Sequence, residues 1–336
     1  MHGSPSFGAD GIDFRRKPPT GLLRKYASFV AADPPFRSWC RLKQSIYRHH
    51  RGWTCGERVD RRGARIYRRL LGNCLTPTDA DAGKNFLNRT IHELALKRMD
   101  KREKHDAIDP NRLCQNLLTS QTLCFNLFLP QHDNPEMATA IWQALLPGRV
   151  AEVVDVKLEH SPGRRNQPLG LGDNSAFDAF VKYRRPDGTL GIIGIETKYT
   201  DSFSAPAGEP TAKMHTLAPR LFEPQTWEAA QAMKSQQLWR THLLAESMKS
   251  QDVVDAAYLV LHADGDEECT RLLPDYRRLL REEVCAAEGF MTMTLEHFCT
   301  VAAAHVSGAA LEWLESFRCR YLDWSPVARE LRVHRG

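Results

Sequence analysis

The sequence predicts an α/β fold, with helices flanking a central mixed β-sheet and a basic helical segment in front of it. Three observations carry this reading. The first is the stretch 176–199, AFDAFVKYRRPDGTLGIIGIETKY. In it Phe177, Ala179, Val181 and Tyr183 alternate with Asp178, Phe180 and Lys182, and Pro186-Asp187-Gly188 supplies a turn. Ile193, Ile195, Thr197 and Tyr199 then alternate with Ile192, Gly194, Glu196 and Lys198, which together read as a β-hairpin. The second is the apolar run 256–262, AAYLVLH, which reads as a buried strand. The third is a set of helical patterns on either side of these strands.

Taken in order, residues 1–20 are rich in Gly, Pro and Ser and read as a mobile terminus. Residues 21–108 form the basic segment. Arg58, Arg61, Arg62, Arg65, Arg68 and Arg69 fall at helical spacing, with Ile66, Leu70 and Leu71 as a thin apolar stripe. Tyr26, Trp39, Tyr47, Trp53 and Tyr67 are interleaved. Arginines among aromatics can hold phosphates and stack bases, so these arginines are candidate nucleic-acid contacts. The plainer reading is a solvated helical surface. Cys40, His49, His50, Cys55 and Cys74 match no standard zinc spacing. Residues 84–104 read as an amphipathic helix with Phe86, Leu87, Ile91, Leu94 and Met99 on one side.

A boundary near 108 separates this segment from a second unit, 109–336. Asp109-Pro110 opens a helix as N-cap and first-turn proline, running to about 129. Its apolar coverage is wide, so its polar residues Ser120, Gln121 and Asn126 are of interest. Asn134-Pro135 opens the next helix, which stops at Pro147-Gly148. Residues 150–159 alternate as a strand ending in Glu159, and 160–174 form a loop that exposes Arg164 and Arg165. After the hairpin, 201–225 read as a long loop and 226–250 as one long helix. Helix 273–286, a short strand 291–294, helix 295–306 and a final helix 310–321 follow the buried strand.

Composition is that of a soluble protein, 42% hydrophobic and 26% charged, with no apolar run of membrane-spanning length. The start of the chain has no secretory pattern, and the nine scattered cysteines include no CxxC. Reduced thiols in a cytoplasmic protein are the expectation. The net charge of +5 is uneven: residues 1–110 carry a net +11 and the remainder a net −6. That asymmetry points to an anionic partner, with nucleic acid first.

If the hairpin turn centres near Asp187, Asp178 stands opposite Glu196, with Cβ atoms roughly 5 Å apart. Like charges so placed destabilise a sheet, and a divalent metal bridging both carboxylates is the simplest explanation. Lys198, two residues on, projects from the same face. No GxSxG motif or P-loop is present.

Asp178 followed by Glu196-Thr197-Lys198, with this element order, resembles the PD-(D/E)xK phosphodiesterase superfamily, the restriction-endonuclease-like fold. Among its members the chain looks most like uncharacterised bacterial restriction-endonuclease-like proteins. The resemblance covers about residues 110–300, and Phe177 stands where the family pattern has Pro. It implies a Mg²⁺-dependent endonuclease, with Mn²⁺ as alternative metal, that hydrolyses DNA in a restriction or defence role. Asp178, Glu196 and the carbonyl of Thr197 would hold the metal. Lys198 would orient water and stabilise developing charge. Glu159 is a further candidate acid, and Gln236 or Gln237, with Gln237 preferred, a candidate on the following helix. RNA stays open as substrate, and cutting both strands would call for a homodimer. The rival readings are a catalytically silent nucleic-acid-binding protein on the same fold, and an interaction protein whose basic segment meets a protein or membrane partner.

Overall fold

The computed structural model describes residues 12–62, 65–102, 106–163, 170–203 and 208–335. Its centre is a five-stranded sheet of order β3-β4-β5-β6-β7, formed by Glu152–His160 (β3), Phe177–Arg184 (β4), Leu190–Lys198 (β5), Val253–His262 (β6) and Phe290–Thr294 (β7). β3, β4 and β5 are antiparallel, whereas β5, β6 and β7 run parallel. The expected mixed sheet is therefore present. The β4–β5 register is the one the turn predicts, running from Arg184↔Leu190 to Ala179↔Ile195. Gly188 takes φ +86°, and Asp187 Oδ1 accepts from both the amide and the hydroxyl of Thr189, which closes the turn.

β5 is buried on both faces, and its glycines explain how. A Cβ at Gly194 would lie 2.1 Å from the Phe177 ring, and one at Gly191 2.3 Å from the Tyr183 ring. Rings from β4 thus lie flat across β5. One sheet face carries Val181, Ile193, Ile195 and Leu259 against helices Ser120–Asp133, Pro135–Leu145 and Leu295–Ala303. The other carries Phe180, Ile192, Tyr258 and Val260 against helices Gln237–Ser247 and Glu267–Arg277. Leu42 and Ile46 of helix Pro35–His50 share the first core with Leu123 and Phe128, so residues on both sides of position 108 pack together.

Several expectations are corrected. The arginine-rich stretch expected as helix is an antiparallel hairpin, Cys55–Arg62 (β1) and Arg65–Leu75 (β2), in a sheet of its own. Its outer part is exposed on both sides, so burial leaves no period to read. Ile66 and Leu70, expected to face inward, are 56% and 60% exposed, while Leu71 is buried. The base is anchored: the Gly72 amide donates to Ala27 O, and Arg48 donates to Gly72 O. The helix expected over 109–129 is two, Pro110–Gln115 and Ser120–Asp133. Asn116 bridges back to Cys74, and the Leu117 amide donates to Asn73 O, which diverts the backbone. The helix expected over 226–250 is also two, Pro224–Ala232 and Gln237–Ser247, with Met233 extended. The 273–286 helix likewise splits into Glu267–Arg277 and Glu282–Ala286. The loop 201–225 holds a helix at Ala212–Leu217, and a last helix, Ser325–Arg335, follows the one expected to be final. Of the expected mobile terminus, 1–11 lie outside the described residues, and Ile12 and Phe14 are buried.

Candidate active site

Continuing the β4–β5 ladder by one residue sets Asp178 opposite Glu196, on the face of Phe180 and Ile192. β3 brings Glu159 beside them, because Leu158 pairs Ala179 and His160 pairs Phe177. Three carboxylates from three adjacent strands therefore reach one end of the sheet, where a cavity of about 380 Å³ opens. Asp178, Glu196, Lys198, Glu159, Gln237 and Gln121 line it.

The hydrogen bonds divide the labour between these groups. Asp178 Oδ2 accepts from the Thr197 amide at 2.8 Å and the Thr197 hydroxyl at 2.9 Å. Glu196 Oε1 accepts from Lys198 Nζ at 2.6 Å and from Gln237 Nε2 at 2.8 Å. Lys198 Nζ also donates to Gln237 Oε1 at 3.1 Å and lies 4.6 Å from the centroid of the Phe203 ring. Glu196 Oε2 is buried and makes no hydrogen bond among the described residues. An orphaned carboxylate oxygen in a buried position is costly unless something of opposite charge meets it.

Electrostatics agree. Burial, and then the charge of Asp178, push the Glu196 carboxyl up to about 8. Burial also raises Asp178, against the pull of Lys198. Burial alone would lower Lys198, but Glu196 and Asp178 outweigh it and hold the ammonium above its ordinary range. The pocket thus keeps a firmly charged lysine beside two carboxylates that release their protons reluctantly.

The donor set fits a hard divalent cation. Asp178 and the free oxygen of Glu196 offer hard oxygen donors, and Thr197 lies between the strand's two charged residues. Among the described residues no three His, Cys, Asp or Glu side chains converge on one ion position. Mg²⁺ keeps several of its waters and needs only one or two carboxylates, so Asp178 and Glu196 together could hold it. The cysteines and histidines weighed for zinc form no such group either.

Gln237 stands in the site because the helix break at Met233 starts a new helix there. Gln236, its neighbour, bonds Arg240 and the Gln231 carbonyl instead. Glu159 adopts φ +51° and accepts from Gln121 Nε2 at 2.8 Å. Asp173 caps Ser175 in a turn and pairs with Arg240 at 3.1 Å. Of the other polar residues of interest, Ser120 accepts from the Tyr199 amide, and Asn126 is internal, bonded to Asn85 and Tyr321. The reading along the chain missed Arg112, Asp201 and Arg240. Asp201 accepts from the Ser120 amide at 3.0 Å and lies 3.4 Å from Arg112 and 3.5 Å from Arg37. No spacing in the sequence links these residues; only the docking of the N-terminal helices beside β5 does.

Of the candidate nucleic-acid contacts, Arg68 and Arg69 are exposed on β2. Arg61, Arg62 and Arg65 lie in the hairpin strands, with their side chains outside what is described. Arg164 and Arg165 also lie outside the described residues. No helix among the described residues is long and apolar enough to cross a membrane.

Residues 31–323 match the family model of the PD-(D/E)XK nuclease superfamily, and the chain belongs to that superfamily. No curated protein and no solved structure matches it.

Proposed function

We propose that this superfamily member is a divalent-metal-dependent endonuclease that hydrolyses DNA phosphodiesters, with its catalytic centre at the C-terminal end of β5. The observation that carries this is the pair of environments on one carboxylate. Glu196 Oε1 is saturated by Lys198 and Gln237, while Oε2 is buried beside Asp178 with no partner among the described residues. Asp178, Glu196 and the carbonyl of Thr197 would hold Mg²⁺ or Mn²⁺. When bound, the metal would polarise the phosphate and make its water acidic enough to attack.

The chain's own residues supply the rest. Lys198 is held charged and aimed by Glu196 Oε1 and Gln237 Oε1, so its ammonium can donate to the attacking water or to a non-bridging phosphate oxygen where negative charge develops. Gln237 fixes both ends of that ion pair, which leaves Lys198 little reorganisation to undergo. Thr197 draws Asp178 Oδ2 inward by two hydrogen bonds and leaves its other oxygen for the cation. Glu159 contributes a third negative charge at the rim.

The test is nicking of supercoiled plasmid by the full chain with Mg²⁺, Mn²⁺ or EDTA, beside Glu196→Ala and Lys198→Ala. Metal-dependent nicking lost in both variants is the expected result. Cleavage that survives both substitutions rejects the assignment, and folded protein that binds DNA but never cuts it returns a silent binding module. A linear rather than nicked product would show cutting of both strands, as two cooperating chains would give.

A further inference from the structure

We propose that DNA runs through the catalytic cavity rather than ending in it, held on one side by the arginine-bearing hairpin β1–β2 and on the other by Lys97, Lys101 and Lys157. The proposal rests on the reading of the cavity as a nuclease centre and adds how the substrate lies.

The catalytic cavity itself is acidic, with Glu159, Asp173, Asp178, Glu196 and Asp201 against Arg112, Lys198 and Arg240. A phosphate chain is drawn to it only from its flanks, and both flanks are basic. Past Glu159, which belongs to both cavities, a second hollow of about 380 Å³ is lined by Lys97, Arg98, Lys101 and Lys157 and by the imidazoles of His132 and His160. Among the described residues, its carboxylates are Asp106 and Glu159 alone. Arg98 is committed to Asp106 and to the Leu158 and Glu159 carbonyls. Lys97 and Lys101 are exposed and four residues apart at the end of helix Arg89–Asp100, hence side by side on one face.

On the opposite side, Arg112 and Asp201 join the catalytic cavity to a hollow of about 810 Å³ where Arg37, Arg41, Arg58, Arg68 and Arg112 outnumber Glu57, Asp109 and Asp201. A further hollow of about 500 Å³ shares Arg37, Arg41 and Arg58 with it and adds Arg69. Arg41 is committed to Asp33, Arg37 to Asp33 and Asp201, and Arg68 to Glu57, so Arg58 and, in the adjoining hollow, Arg69 carry this flank. Here the hairpin forms a wall. Arg58 stands directly opposite Arg69 in its ladder, which sets two guanidinium-bearing side chains next to each other across the hairpin. The arrangement of charge is thus basic, acidic, basic along one continuous trough, with the metal ligands in the middle. Each basic flank concentrates anions beside the acidic centre. A polymer of phosphates matches this pattern on both sides of the bond to be cut, whereas a site built for a chain end needs only one flank.

The experiment is fluorescence-anisotropy binding of a labelled 30-base-pair DNA duplex to the full chain in EDTA across a range of salt, with circular dichroism as a check on folding. Each phosphate contact adds about 0.9 to the slope of log K against log salt. Lys97→Ala/Lys101→Ala and Arg58→Ala/Arg69→Ala should each lower that slope by about 2, and Arg278→Ala, an exposed arginine outside all these cavities, should leave it unchanged. In parallel, wild type should cut a covalently closed single-stranded circle in Mg²⁺. Wild-type slopes in both double variants would overturn the proposal, and so would a change in only one of them, which would mean a one-sided track. Binding slopes that fall on both flanks while no metal supports cleavage would uphold the track and sink the catalytic reading instead.

Discussion

Replacing Glu196 by Gln should make the stability of the metal-free protein less dependent on pH and remove its response to Mg²⁺. Burial and Asp178 raise the Glu196 carboxyl from 4.5 to about 8. The folded state therefore keeps a proton that the unfolded chain gives up above about pH 4.5. The stability contributed by this group is full below that pH and is lost as pH rises through about 8. Between pH 4 and pH 7 the loss approaches about 3 kcal/mol, since each tenfold difference in proton affinity between the folded and unfolded chain is worth about 1.4 kcal/mol. At about 2.1 cal/mol/K of unfolding entropy per residue, a chain of this length converts that into a Tm lower by about 4 °C. Mg²⁺ at a hundredfold excess over its Kd returns about 2.7 kcal/mol, enough to cancel most of it. It competes with the proton, so its effect grows with pH. Gln mimics the neutral, protonated carboxyl, placing a donor NH2 where Oε2 lies, and cannot titrate. Thermal unfolding of both proteins at pH 5, 7 and 8.5, in EDTA and in Mg²⁺, measures this directly. The Tm of the variant relative to wild type should climb by about 5 °C between pH 5 and pH 8.5, and Mg²⁺ should raise wild type most at pH 8.5 and the variant hardly at all. A difference that stays constant with pH, or equal Mg²⁺ effects on the two proteins, would refute the reasoning.

Other substitutions separate the roles around it. Gln237→Ala removes the bonds to both Glu196 and Lys198; loss of such a supporting group should weaken metal dependence or activity about 10- to 100-fold, read from nicking rate against Mg²⁺ concentration. Lys198→Met should lower kcat about 10²- to 10³-fold while DNA binding in EDTA persists; lost binding would make Lys198 an anchor rather than a catalytic group. Gly194→Ala places a methyl against the Phe177 ring and should lower stability by about 1–3 kcal/mol in urea unfolding. Phe177→Leu in the same chain should recover part of that loss, and no recovery would mean that the ring is not the obstacle.

How much of this could be read along the chain depended on how local the signal was. The β4–β5 register follows from the Pro186-Asp187-Gly188 turn and a strict alternation; a slip of one residue would move Val181 and Ile193 from one core to the other and put Asp178 and Glu196 on opposite faces. The same logic fails for β1 and β2. Val59, Ile66, Tyr67 and Leu70 are all exposed, so these outer positions show no buried face, and arginines spaced by three and four suit a helix as well as a strand. The two helix breaks were invisible for another reason. Nothing in 116–119 or 233–236 forbids a helix; the backbone turns there because Asn116 and Leu117 find partners on β2, and because Gln237 is drawn to the end of β5.

The candidate triplet was legible because period two is the rule of a strand: Asp178, Glu196 and Lys198 share a face whenever the hairpin forms. Glu159 shows where that rule stops. Alternation puts it beside Asp178, yet its backbone sits at φ +51°, a conformation that side-chain-bearing residues avoid. Such strain persists only where neighbours over-determine it. Here they do: Arg98 clamps the Leu158 and Glu159 carbonyls at 3.1 Å each, and Gln121 holds the carboxylate. Arg98 comes from the helix before the expected boundary and Gln121 from the one after it, so the strained acid is fixed by both halves of the chain at once. Arg112 and Arg37 meet Asp201 in the same way. The N-terminal third is therefore built into the candidate site: Arg98 holds the third carboxylate in position at one end of the cavity, and Arg37 meets Asp201 at the other. A chain cut at residue 108 should lose the geometry of Glu159 and the hairpin wall together, even though Asp178, Glu196 and Lys198 all remain on the C-terminal piece.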